Sequence, residues 1–417
     1  MIPPITNGAE LRGKTIAMIV CWLLGNGSLF VWNSMLTAED YYLSLFPRYH
    51  PTRVFTLVYV VITLVTSSIL TYYEATINTR KRNLLGYLLL FLSALAIPIL
   101  DLATSGNGGL ATYIGICCVA VIFGLGDGCV EGGMIGDLSL MCPDFIQSFL
   151  AGGSASGVLT SVLRLSTKGV FENSKNGLRK GAIMFLVISA LFELLCLLLY
   201  KFVFAKIPIV RYYRSKAASE GSKTVMADLA AAGVKMQQNE VSEEGPNDEL
   251  ERLSHKQLLL ENKDYAIIAF LVTVLTFSIF PGFLAEDTGK HGLGTWYVLV
   301  LIAMYNVLEL LGRNIPMVES LKLESRKGLT IATISRFALV PAFYFTAKYG
   351  DQGWMILLTS LLGLSNGYLT VCVFTVAPQG YKGPEQNALG NLLTICVLGG
   401  LVMGIALDWL WLIGKGW

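Results

Sequence analysis

The sequence predicts an all-α polytopic membrane protein of about eleven transmembrane helices in a 6+5 two-bundle arrangement. Three observations carry this. Of its residues, 54% are hydrophobic and only 14% are charged, outside the balance of a globular chain. Apolar runs of about 20 residues recur, the length that crosses a hydrocarbon layer roughly 30 Å thick. One long polar insertion divides the runs into six before and five after, a layout like that of carriers whose site lies between two bundles.

Apolar runs read against polar breaks place helices near 14–36, 53–74, 83–103, 110–141, 146–166, 180–204, 263–284, 295–315, 328–347, 352–377 and 387–412. The opening "MIPPITNGAELRGKT" is polar and unlike a cleavable signal, so the first run is expected to insert itself. The organisation is then a six-helix bundle over 1–205, a cytoplasmic polar loop over 206–262 and a five-helix bundle over 263–417. The loop contains "NEVSEEGPNDELERLSHKQ", rich in charge and poor in aromatics, and is expected to be disordered. An odd number of spans puts the termini on opposite faces. With the N-terminus cytoplasmic, inner segments hold about twice the Lys and Arg of outer ones, including "RKR" at Arg80 to Arg82 and "KLESRK" at Lys322 to Lys327, although Lys168 to Lys180 is basic on the other side.

Composition also removes whole classes of function. A net charge of +2 without a basic aromatic stripe excludes a nucleic-acid partner. The eight cysteines are scattered through apolar runs with no C-x-x-C pair, and read as small hydrophobes. His50, His255 and His291 fall in predicted loops. With no phosphate-cradling G-x-x-x-x-G-K-[ST] loop either, no cofactor and no ATP-driven step are expected.

Charges inside the predicted spans are costly, so each asks for a partner or a purpose. In "GDGCVEGGMIGD", Asp127 and Glu131 are four apart, sharing a helix face about 6 Å apart near mid-depth. Asp137 is expected at the interface, and Gly128, Gly132 and Gly136 form a seam for a neighbouring helix. In "YNVLELLGRNIP", which also supplies Asn306, Glu309 and Arg313 are again four apart. Arginine's planar fork can clamp a diol that Glu309 also accepts from. The alternative for each charge is an ion pair that only fastens helices. Arg164, Glu193 and Arg336 are expected to be paired or to snorkel. Trp32 and Asn33 add an aromatic plane and an amide on the first span, where a Trp alone reads as interfacial belt.

Several stretches together resemble the equilibrative nucleoside transporter family: "GNGSLFVWNSMLTAEDYY", "GDGCVEGGMIGDLS", "IFPG" at Ile279 to Gly282, "YNVLELLGRNIP" and "GLSNGYLTV". The resemblance spans nearly the whole chain, is most like plant members, and implies a major-facilitator-like fold working by alternating access. It implies that Trp32 packs against the nucleobase, that Asn33 and Glu131 border the cavity with Asp127 and Asn306, and that Arg313 with Glu309 holds the ribose hydroxyls. Leu36, Phe280 and Leu401 would be apolar wall. The family usually carries an amide where Glu131 stands and Asp where Glu309 stands, so this chain gains a proton site and a longer arm towards Arg313.

The implied partners are nucleosides such as adenosine and uridine, the lipid bilayer, and protons, with Glu131 and Asp127 as coupling groups. The expected location is the plasma membrane, with the vacuolar membrane as the alternative. The competing readings are an uncoupled facilitator, a nucleobase or sugar carrier needing less of the diol clamp, and an intramembrane enzyme built on the Asp127 and Glu131 pair.

Overall fold

The computed structural model describes residues 7–73, 77–139, 141, 143–215, 255–288, 292–349, 352–379, 381 and 383–413. Within them, eleven helices are long and apolar enough to cross a membrane. The first half contributes α1 (Asn7–Thr37), the short α2 (Glu39–Leu45), α3 (Pro51–Tyr72), α4 (Thr79–Ala103), α5 (Leu110–Ser139), α6 (Pro143–Phe171) and α7 (Gly177–Leu198). The second half contributes α10 (Lys263–Phe277), the short α11 (Gly282–Glu286), α12 (Tyr297–Asn314), α13 (Arg326–Ser335), α14 (Leu339–Tyr349), α15 (Gln352–Val376) and α16 (Gly383–Asp408). Two helices lie between the halves, α8 (208–215) and α9 (His255–Glu261). The segment expected to be disordered is therefore helical at both edges. Its residues 216–254 lie outside the described residues, as does His291.

Two expected spans are interrupted. The seventh stops at Phe277 and resumes at Gly282 after Pro281, whose missing N–H cannot continue the helical ladder. The ninth divides at a 3-10 turn over Arg336–Ala338, three residues before Pro341. Its side chain explains why Arg336 sits there: the guanidinium donates to the Val272 carbonyl at 3.1 Å and to the Thr276 and Ser365 hydroxyls, each at 2.9 Å.

Small residues set how closely the helices approach. A Cβ on Gly25 would sit 1.9 Å from the Phe149 carbonyl, and one on Gly152 would sit 1.9 Å from that of Trp22, so α1 and α6 meet backbone to backbone. Helices α12 and α15 do the same at Gly312, Gly363 and Gly367. On α5 the expected single seam divides: Gly128 lies against Thr63 and Thr66 of α3, whereas Gly132 faces the Arg82 side chain of α4.

One apolar cluster runs through the first bundle from Ala17 to Val210 and takes in Ile405 of α16, and two more lie in the second bundle, one of them taking in Leu36 of α1. Trp32 and Phe277 pack against clusters of both bundles. They mark the interface between the halves. Six crossings separate the N-terminus from the central segment, which therefore share a membrane face, called the loop face below.

Candidate functional site

On the first half, α1 turns its last two turns towards the bundle interface. Trp32 stacks flat on Tyr59 of α3, with ring centroids 4.1 Å apart and an interplanar angle of 8°. It is not a lipid-facing belt residue. One turn deeper into the bundle, the Tyr59 hydroxyl donates to Asp127 Oδ2 at 2.6 Å, and the other Asp127 oxygen is buried without a partner. Asn33 donates to Ser156 Oγ at 2.6 Å, holding α1 to α6. Glu131 is half-buried one turn along from Asp127 on α5. Its side chain forms no ion pair among the described residues.

The second half supplies a matching wall. Phe280 stacks on Tyr305 at 4.0 Å and 12°, and both are buried with Leu36 in one cluster. Below it, Arg313 donates to Glu309 Oε1 at 2.7 Å, and that same oxygen accepts from Asn366 Nδ2 at 2.9 Å. Arg313 also reaches across to Ser154 Oγ of α6 at 2.8 Å. Its Nε is left without an acceptor, so the fork retains a donor for a ligand. Asn306 donates to the Gly157 carbonyl at 3.1 Å and to Ser161 Oγ at 3.0 Å, so its amide fastens α12 to α6. Leu401 is half-buried against the cluster of the first bundle.

The structure thus gathers Trp32, Leu36, Phe280, Glu309 and Arg313 at the bundle interface. Asp127 sits just behind Tyr59, and Arg313 takes Glu309 and Ser154, not Glu131, as partners. Sequence reasoning missed Tyr59, Ser154, Ser156, Tyr305 and Asn366. Only Tyr305 and Asn366 had a signal, since they lie in the "YNVLELLGRNIP" and "GLSNGYLTV" stretches already singled out. Of the other intramembrane charges, Arg164 pairs with Asp40 at 2.9 Å. Asp137 pairs with Arg214 of α8. Glu193 neither pairs nor snorkels, being fully buried with both carboxyl oxygens unpartnered.

The two ends of the interface differ. On the face opposite the loop face, Arg53 of α3 binds across the bundles to Asp408 of α16 at 2.8 Å, to Glu286 of α11 at 2.7 Å, and to Asp287. The Arg53 side chain is 0% exposed, whereas that of Arg313 is 33% exposed. The interface is closed at the Arg53 end and partly exposed at the Arg313 end.

Residues 117–413 match the family model described as nucleoside transporter. Among curated relatives, equilibrative nucleotide transporter 3 of Arabidopsis thaliana is 62% identical over 406 residues, covering 97% of this chain and 96% of its own. Equilibrative nucleotide transporter 7 of the same plant is 54% identical over 415 residues, covering 100% and 99%. Among solved structures, the major facilitator superfamily proton:xylose symporter XylE superposes with a TM-score of 0.59 at 14% identity, covering 98% of this chain and 89% of that one. The nucleoside transporter NupG gives 0.52 at 12% identity, covering 95% of each. The structural likenesses establish the two-bundle fold, and the match over most of the sequence establishes kinship: this chain is a multi-pass membrane transporter belonging to the nucleoside transporter family.

Proposed function

We propose that this protein carries purine and pyrimidine nucleosides across the membrane by alternating access of its two bundles, with the ribose diol held by Arg313 and Glu309. The observation that carries this reading is the Arg313 fork: one terminal nitrogen reaches Glu309, the other reaches Ser154 of the opposite bundle, and Nε stays open. A diol bridging the free donor and the carboxylate would exchange contacts the protein already makes across the interface. Such exchange is what couples binding to bundle movement.

The stacked pairs Trp32 with Tyr59 and Phe280 with Tyr305 offer planar apolar faces to a base. The closed Arg53 end and the partly exposed Arg313 end correspond to a carrier open towards the loop face. With that face cytoplasmic, as the basic segments suggest, the state is inward-facing, and the plasma membrane is the proposed location. Proton coupling through Glu131 or Asp127 belongs to the same proposal, because Asp127 keeps a buried unpartnered oxygen. The test is uptake of labelled uridine into proteoliposomes containing the purified protein, competed with adenosine, 2',3'-dideoxyuridine, uracil and uridine monophosphate. Competition by adenosine alone among these supports the proposal. Equal competition by uracil or by the dideoxynucleoside overturns recognition through the sugar.

A further inference from the structure

Two adjacent acids begin α2, where the helix N-terminus favours negative charge. Their surroundings diverge. Asp40 is fully compensated, accepting from Arg164 at 2.9 and 3.0 Å and from Lys168 at 2.8 Å. Glu39 is 3% exposed, and neither of its carboxyl oxygens meets a hydrogen-bond partner. It lines a narrow cleft with Trp32, Met35, Leu36, Tyr42, Thr52, Phe55 and Thr56.

The charged groups near that cleft are already committed. Arg53 of α3 spends Nε on Asp408 and its two terminal nitrogens on Glu286 and Asp287. His50, in the turn before α3, lies 2.7 Å from Glu286. Arg179 of α7 is held by Asp101, which also accepts from Tyr41. The Thr52 hydroxyl lies beside Glu39 and is itself unpartnered. One guanidinium and one imidazole therefore face three carboxylates of the second bundle before Glu39 is added. A fourth negative charge there would be buried and uncompensated. Burial, with Glu286 and Asp408 behind it and Asp40 adding less, holds the Glu39 carboxyl well above the usual carboxylate range, against an opposing pull from the Thr52 hydroxyl.

We infer that Glu39 is a proton-binding site of the transport cycle, filled whenever the Arg53 cluster seals the face opposite the loop face. This deepens the proton-coupled reading above and rests on it for its place in transport. The step is a proton transfer alone: a Glu39 oxygen takes a proton from water as Asp408, Glu286 and Asp287 close on Arg53, and returns it to water when water re-enters the cleft. Because the cleft reaches Trp32, proton and substrate share a wall. For the sign, a carboxyl with a raised pKa in the sealed arrangement favours sealing at low pH, and that support is lost as pH rises through the raised value.

The experiment uses the full chain in lipid nanodiscs and proteoliposomes. Infrared difference spectra between acid and alkaline pH are expected to show the carbonyl stretch of a protonated carboxylic acid that Glu39→Gln lacks. Glu39→Asp, keeping a carboxyl one methylene shorter, shifts the titration of that band without deleting it. Uridine exchange at equal pH on both sides is expected to fall by about tenfold per pH unit above the titration point in the wild type, and to be flat with pH in Glu39→Gln. A band unchanged in both variants, or an equal pH slope in wild type and Glu39→Gln, overturns the inference. The band with no uridine exchange in the wild type supports the Glu39 site and overturns the nucleoside reading instead.

Discussion

Tyr59 donates its phenol to Asp127 at 2.6 Å while its ring lies flat on Trp32. One side chain of α3 thereby ties the aromatic wall of the cavity to a carboxyl buried behind it. Tyr59→Phe keeps the ring and leaves both Asp127 oxygens unsatisfied, at a cost of about 1–3 kcal/mol. The melting midpoint in detergent is expected to fall, and uridine uptake to fall about tenfold. Uptake and melting like the wild type would show the hydrogen bond to be idle.

Close approach of α12 and α15 places Glu309 opposite Asn366. A Cβ on Gly367 would stand 2.2 Å from the Glu309 carbonyl and 2.9 Å from the Arg313 backbone nitrogen, so Gly367→Ala must push the helices apart beneath Glu309 and Arg313. Uptake is expected to fall at least tenfold, the effect of roughly 1.4 kcal/mol. Gly109→Ala, where a Cβ meets nothing within 4 Å, serves as the control with unchanged uptake. Equal rates for the two variants would dismiss the packing account.

Removing the guanidinium at the sealed end strands three carboxylates. Arg53→Ala is expected to lower stability by about 3–5 kcal/mol at neutral pH. Arg53→Lys keeps one positive charge there but loses the fork that reaches Asp408, Glu286 and Asp287 together, so it is expected to recover only part of the lost melting midpoint. Full recovery of the wild-type midpoint by Arg53→Lys would mean that Arg53 acts as a point charge alone.

Glu131→Gln keeps the size of the side chain and removes its titration. The expected carrier still exchanges uridine between compartments but no longer accumulates it when a proton gradient is imposed. Equal accumulation by variant and wild type would move coupling away from Glu131 and make Asp127 the next residue to replace.

How much of this was legible in the sequence depends on distance along the chain. Eleven spans and the four-residue step from Glu309 to Arg313 are local, set by hydropathy and helical pitch, and both were readable. Partners supplied by other helices were not. Ser154 is 159 positions from Arg313, and Asn366 is 57 from Glu309. A serine or an asparagine carries no pattern that names its distant partner. Glu39 was hidden for another reason. Beside Asp40 it has the form of an ordinary acidic helix start, and only the fold brings Glu286 and Asp408 against it. The divided ninth span shows a third limit, since unbroken hydropathy conceals a turn that Arg336 holds through a carbonyl and two hydroxyls of α10 and α15.

The most direct measurement on the central claim is uridine uptake by Arg313→Lys. Lysine keeps the charge, but its three donors radiate from one nitrogen, so it cannot span Glu309, Ser154 and the ribose as the planar fork does. Loss of a charge-assisted donor to the ribose, worth about 2–3 kcal/mol, predicts uptake reduced roughly 30- to 150-fold in protein that reaches the membrane normally. Arg313→Lys carrying uridine at the wild-type rate, and still favouring it over 2',3'-dideoxyuridine, would contradict the assignment of the diol clamp.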